Sequence, residues 1–183
     1  MASTLKNLTY LKDSNRDFHV MLDSIKTRID APVLLTSSGA MTGDDITINE
    51  DDHAGKILVC PDFTGNATCQ IPTPTQAGIH YNFVSSGVAD DAHNLVFNAA
   101  NAAGVATADA FTMTGAILDF DEDLIASSTD AGVVPTYVAN GDDDKMTFAA
   151  PHAYNVHFIS TSTTNFLITG WHIGDTAVAF GDQ

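Results

Sequence analysis

Residues 55–84 read GKILVCPDFTGNATCQIPTPTQAGIHYNFV, and their periodicity decides the class of fold. Ile57, Val59 and Cys60 form one β-rich run, Cys69 and Ile71 lie in a second, and Ile79, Tyr81 and Phe83 alternate with His80 and Asn82 in a third. Strict alternation puts one set of side chains on one face of a strand, which suits a half-buried sheet. Pro61, Gly65 with Asn66, Pro72, Pro74 and Gly78 separate the runs and supply the fixed or positive φ that a chain reversal needs. The stretch predicts three consecutive antiparallel strands, a scaffold with no chemistry of its own. If the first turn centres on Thr64 and Gly65, Cys60 and Cys69 fall opposite each other on adjacent strands, where a disulfide is geometrically open. Two cysteines are too few for a disulfide framework, however, and two packed thiols are the expectation.

On both sides of this unit, from Pro32 to the last residues, short β-rich runs alternate with turn clusters. Val33 to Thr36 and Ile46 to Ile48 precede it, flanked by Ser37-Ser38-Gly39, Gly43-Asp44-Asp45 and Glu50-Asp51-Asp52. Leu95 to Phe97, Phe111 to Ile117, Val133 to Val138, Met146 to Phe148, Tyr154 to Ile159, Phe166 to Trp171 and Ala177 to Phe180 follow it. The alanine-rich run from Asn98 to Asp109 has no clear period and reads as a loop. About ten strands at regular spacing predict a mainly β domain over 32–183, an antiparallel sandwich or jelly roll. A weak internal echo supports two packed halves: CQIPTPTQAGIHYNFVSSG followed by NLVFNA resembles MTFAAPHAYNVHFISTS followed by NFLITGW.

Residues 1–31 differ from all of this. They hold five of the seven Lys and Arg, and Phe18, Met21, Leu22, Ile25 and Ile29 follow the spacing of one helix face. Ser14 with Asp17 resembles a capping box, and Asp30 with Pro32 closes the helix. Read as heptads, Leu8, Leu11, Asn15, Phe18, Leu22, Ile25 and Ile29 occupy successive a and d positions, with Asn15 the single polar a residue. These seven residues are the expected oligomer or attachment interface. Two readings stand: a short parallel bundle joining identical subunits, or an amphipathic helix lying on its own sheet or on a neighbouring protein.

Charge limits the partners. Twenty-three Asp and Glu against seven Lys and Arg give a net charge of −16 in 183 residues. Nucleic-acid phosphates need a basic footprint and anionic membranes repel such a chain, so neither is an expected partner, whereas a basic protein surface would attract it. A hydrophobic share of 44% with 16% charged residues is the composition of a folding chain. The first residues lack the apolar core of a secretory signal, and no run approaches the roughly 20 apolar residues of a membrane helix. Synthesis as a soluble protein is expected, and the glycosylation triplets at Asn7 and Asn66 carry no weight.

Seven histidines raise the question of a metal, with His152, His157 and His172 the nearest to a cluster. No paired Cys or HExxH accompanies them, and alternation turns His157 away from Val156 and Phe158. The acidic runs Asp119-Phe120-Asp121-Glu122-Asp123 and Asn140-Gly141-Asp142-Asp143-Asp144 offer hard oxygen ligands to calcium but keep no EF-hand spacing, and Asn140-Gly141 reads first as a hairpin turn. There is no GxSxG elbow, P-loop or glycine-rich fingerprint. No cofactor, no metal and no catalytic residue is expected.

Ala54-Gly55-Lys56 leading to Val59 and Pro61, then Ile71-Pro72, then Ala77-Gly78-Ile79-His80-Tyr81-Asn82-Phe83-Val84 resemble a module of structural proteins of tailed, notably marine, bacteriophages. Phe166-Leu167-Ile168-Thr169-Gly170-Trp171 resembles its closing strand, so the likeness runs from about Gly39 to Gly181. It implies a virion protein made in the host cytoplasm: a capsid decoration (cement) protein, or a part of a head or tail fibre, in either case usually a trimer. The implied partners are the chain itself and a major capsid or other virion protein. A short helical arm and one β domain favour decoration over a short fibre or receptor-binding protein. A secreted carbohydrate-binding β protein is the third expectation.

Overall fold

The alternating runs form strands, and the strands assemble into two mixed sheets. The computed structural model describes residues 33–34, 45–61, 65–85, 93–121, 136–174 and 176–183, all within the unit from Pro32 to Gln183. Residues 1–31, with the seven heptad positions from Leu8 to Ile29, lie outside the described residues. So do 122–135, which include part of the first acidic run and the start of the expected strand at Val133.

One sheet has seven strands in the order β1 (Val33–Leu34), β3 (Ile57–Cys60), β5 (His80–Ser85), β10 (Pro151–Ser162), β11 (Asn165–Gly174), β7 (Thr112–Asp121) and β8 (Thr136–Asn140). The other has five, in the order β12 (Ala179–Gly181), β9 (Lys145–Phe148), β6 (Leu95–Ala100), β4 (Ala67–Pro72) and β2 (Asp45–Thr47). A single helical turn, α1 (Glu50–His53), stands where the sequence reads as a turn cluster; Asn49 caps it, its side chain accepting from the Asp52 N–H at 2.8 Å.

The antiparallel expectation is corrected to mixed pairing. From β1 to β7 the chain changes sheet at every step, and from β3 to β6 each new strand lies beside the one laid two steps earlier and runs parallel to it. Hence β1 pairs β3, β3 pairs β5, β2 pairs β4 and β4 pairs β6, all in parallel. The β10–β11 hairpin then inserts between β5 and β7, antiparallel to β5 and parallel to β7. Residues 55–84 are accordingly not three consecutive antiparallel strands: β3 and β5 are parallel neighbours, and β4 lies in the other sheet. Cys60 and Cys69 therefore do not face each other on adjacent strands. Both are buried thiols and neither forms a disulfide. Asn140-Gly141 is likewise no hairpin, since β8 and β9 belong to different sheets and the turn carries the chain from one to the other.

The internal echo is partly realised. In both halves a strand of the five-stranded sheet (β4, β9) leads to one of the seven-stranded sheet (β5, β10), and β5 and β10 pair. The return strands part company, because β6 crosses back while β11 stays beside β10. The alanine-rich segment is strand as far as Ala100 and then a looped stretch to Ala110, tied back by an Ala100–Ala106 bridge.

Phenylalanines from both sheets meet in one core. Phe97 of β6 packs on Phe83 of β5 with ring centroids 4.9 Å apart, and on Phe158 of β10 at 5.3 Å. Within the seven-stranded sheet Phe83 meets Phe158 at 5.6 Å, while Phe111, just before β7, meets Phe166 at 4.8 Å. Edge and tilted ring contacts of this kind add about 0.5–1.5 kcal/mol each beyond the area they bury. Two strand glycines let neighbouring backbones close in: a Cβ on Gly115 would collide with the Ile168 carbonyl, and one on Gly170 with the Asn155 carbonyl. Their φ values of +117° and +146° also favour glycine.

Candidate functional site

Parallel register brings together two chemistry-bearing residues that are 53 positions apart. Asp119 continues the inward parity of Met113 and Ile117 on β7, and His172 that of Phe166 and Ile168 on β11; the two are directly paired in the register. His172 Nδ1 lies 2.7 Å from Asp119 Oδ1, so the neutral ring donates Nδ1–H to the carboxylate. Phe148 stacks on the imidazole at 4.7 Å and 28°. Nε2 is buried with no hydrogen-bond partner. Burial lowers the His172 pKa below its ordinary value, against the opposing pull of Asp119, and the nearby His152 lowers it further. His172 is fully buried and Asp119 is 4% exposed, so the pair is sealed from solvent and works as a polar tie between β7 and β11.

The three histidines considered together in the sequence do not converge. His172 points into the core, whereas His157 points to the opposite face of the same sheet, as its alternation with Val156 and Phe158 requires. There it meets His80 edge-on with ring centroids 6.4 Å apart. Burial and the neighbouring His80 both lower the His157 pKa. Among the described residues no group of three or more His, Cys, Asp or Glu is placed to hold a metal ion.

Of the acidic residues weighed for calcium, Asp119 is engaged by His172 and Asp144 is turned inward to the backbone. Asp144, 1% exposed, accepts the Asp109 N–H through Oδ2 and the Gln183 N–H through Oδ1, each at 2.8 Å. Gln183 Nε2 in turn donates to the Ala99 carbonyl at 2.8 Å, so one carboxylate ties the last residue to the loop after β6.

A third feature lies at the surface. An open groove of about 440 Å³ is lined by residues that include Asn49, Glu50, Asp52, Thr73, Thr75 and Ala102. Glu50 spans it, accepting from Thr75 Oγ1 at 2.5 Å and from the Thr75 N–H at 3.3 Å. Its lining of carboxylates, an amide and hydroxyls can hydrogen-bond a polyhydroxylated ligand.

Sequence reasoning took none of these three arrangements. The inward parity of Asp119 was a usable signal, because a carboxylate on the core side of a strand demands a buried partner. Asp144–Gln183 and Glu50–Thr75 had no local signal, since they join segments far apart in the chain. No helix among the described residues is long and apolar enough to cross a membrane. No family model, no curated protein and no solved structure matches the chain.

Proposed function

We propose that this chain is a non-enzymatic virion structural protein, a capsid decoration (cement) protein that binds the assembled head and stabilises it as a homo-oligomer. The observation that carries this reading is where the polar chemistry points. His172, Asp119 and Asp144 face inward and serve the fold, while the chain turns outward a broad sheet surface and the carboxylates of Asp51 and Asp52 on α1. A protein so built acts by covering other surfaces, and a ligand that binds only the assembled particle raises the stability of that state by mass action. We read the two sheets as layers of a sandwich, which the Phe97 contacts to Phe83 and Phe158 support. The resemblance of residues 54–84 and 166–171 to phage structural modules supports the virion setting, with the capsid surface as location and a homotrimer through the 1–31 arm as assembly.

The groove beside Glu50 favours a second reading, a short fibre or receptor-binding protein that recognises glycans; a secreted carbohydrate-binding protein would use the same groove. Heat challenge of particles with and without the protein, scored by genome release, tests the first reading. Release at lower temperature without it, reversed by adding it back, is the expected result. Unchanged release together with lost host adsorption or measurable glycan binding selects the second.

A further inference from the structure

The seven-stranded sheet has a face turned away from the shared core, and its composition is unlike the rest of the chain. Register lines its side chains up in rows. One row runs Val59, Val84, Asn155, Trp171 and Leu118 across five strands. The next runs Ile57, Asn82, His157, Thr169, Ala116 and Val138 across six. Among the described residues of β3, β5, β7, β8, β10 and β11, no outward position is Asp, Glu, Lys or Arg. In a chain of net charge −16, the described outward positions of these six strands thus carry no formal charge. Its described carboxylates lie instead in α1, the turns and strand ends, or are buried as Asp119 is.

Exposure marks the same face. Among the described residues four large apolar side chains are exposed; Ile57 (44%), Leu118 (45%) and Val138 (64%) stand on this face, and Val105 lies elsewhere. The outer face of the five-stranded sheet differs, since the loop after β6 folds back so closely that a Cβ on Gly104 would strike Thr47.

We propose that this outer face is the surface through which copies of this chain associate. Charge selects the occupant. A basic partner would be drawn to the acidic turns and would gain nothing from an uncharged sheet, whereas two copies at −16 repel least where neither carries charge. Size agrees: with a third row of His80, Ile159, Leu167 and Thr114 beside these two, six strands about 4.8 Å apart and three rows deep span roughly 600 Å² in projection. A standard interface takes roughly 800 Å² per partner, which is of the same order. The uncharged centre around Asn82, His157 and Thr169 keeps the contact selective, and the apolar flanks at Ile57, Leu118 and Val138 drive it. The inference shares the homo-oligomer of the cement reading but is tested on isolated protein, so it stands or falls without any particle.

The test uses the full chain in light scattering from low to high micromolar concentration. Wild type should show a mass above that of one chain and dissociate on dilution. L118D combined with V138D, both at exposed positions, should keep the wild-type melting temperature and raise the dissociation constant at least about a hundredfold, because carboxylates would be buried in an apolar contact. L22D combined with I25D, which breaks the arm heptads, should retain association through the sheet face. Trp171, the chain's single tryptophan, gives a readout that needs no variant: its emission should shift to the red over the same dilution range. A wild type that stays at single-chain mass overturns the proposal. So does a folded L118D/V138D protein of wild-type mass, or Trp171 emission that ignores concentration. Single-chain mass in solution, with particle binding lost only in L118D/V138D, would assign the face to a different protein.

Discussion

His172 and Asp119 are joined at 2.7 Å inside the fold by the parallel pairing of β11 with β7, with the far nitrogen of the imidazole left unpartnered. That nitrogen determines the sign of a pH effect. Neutral His172 satisfies Asp119 through Nδ1–H and leaves only a lone pair at Nε2; the protonated ring would bury an N–H with no acceptor.

A histidine whose folded pKa is depressed contributes stability that is fully present above its unfolded value, about 6.5, and is lost as pH falls through the folded value. Wild type should therefore lose melting temperature below about pH 6.5 more steeply than H172Q, which has no titrating ring at this place. D119A should cost about 1–3 kcal/mol at neutral pH by leaving His172 Nδ1–H buried without an acceptor. Parallel melting-temperature profiles for wild type and H172Q would show that His172 is not the titrating group.

Gly170 sits opposite Val156 in the β10–β11 ladder, where the Asn155 carbonyl occupies the space a Cβ would need. G170A forces the β10 backbone away and strains a φ of +146°. The expected loss is at least about 2 kcal/mol in a urea melt. G78A serves as the contrast: its φ of +92° is also positive, but nothing lies within reach of a Cβ, so its cost should be smaller and come from the backbone alone.

Burial pushes the Cys60 thiol up to about 12, with Tyr154 opposing through a hydrogen bond. Nucleophilic thiol chemistry requires the thiolate. Native protein at neutral pH should react with a thiol reagent at Cys60 only at the rate of unfolding, and denatured protein should titrate two thiols. Fast modification of native Cys60, or no titratable thiol after denaturation without reductant, would contradict two buried thiols without a disulfide.

Alternation alone was enough to mark the strands from Ile46 to Phe180 and to put Tyr81 and Phe83 on one side of their strand and His80 and Asn82 on the other, because side-chain parity along a strand is a local property. It also turned His157 away from Phe158 correctly. Partner and direction of pairing are not local. A strand beside a parallel neighbour alternates just as one in a hairpin does, so residues 55–84 could not reveal that β4 leaves for the other sheet while β3 and β5 come together. The same limit hid the sites. Asp119 and His172, Asp144 and Gln183, Glu50 and Thr75 are each brought together by the return of the chain, and the uncharged rows from Ile57 to Val138 exist only once six strands are in register. Local sterics and hydrophobic period are written residue by residue; sheet order is decided by which long-range closures bury the shared aromatic core, and that is a property of the whole folded chain.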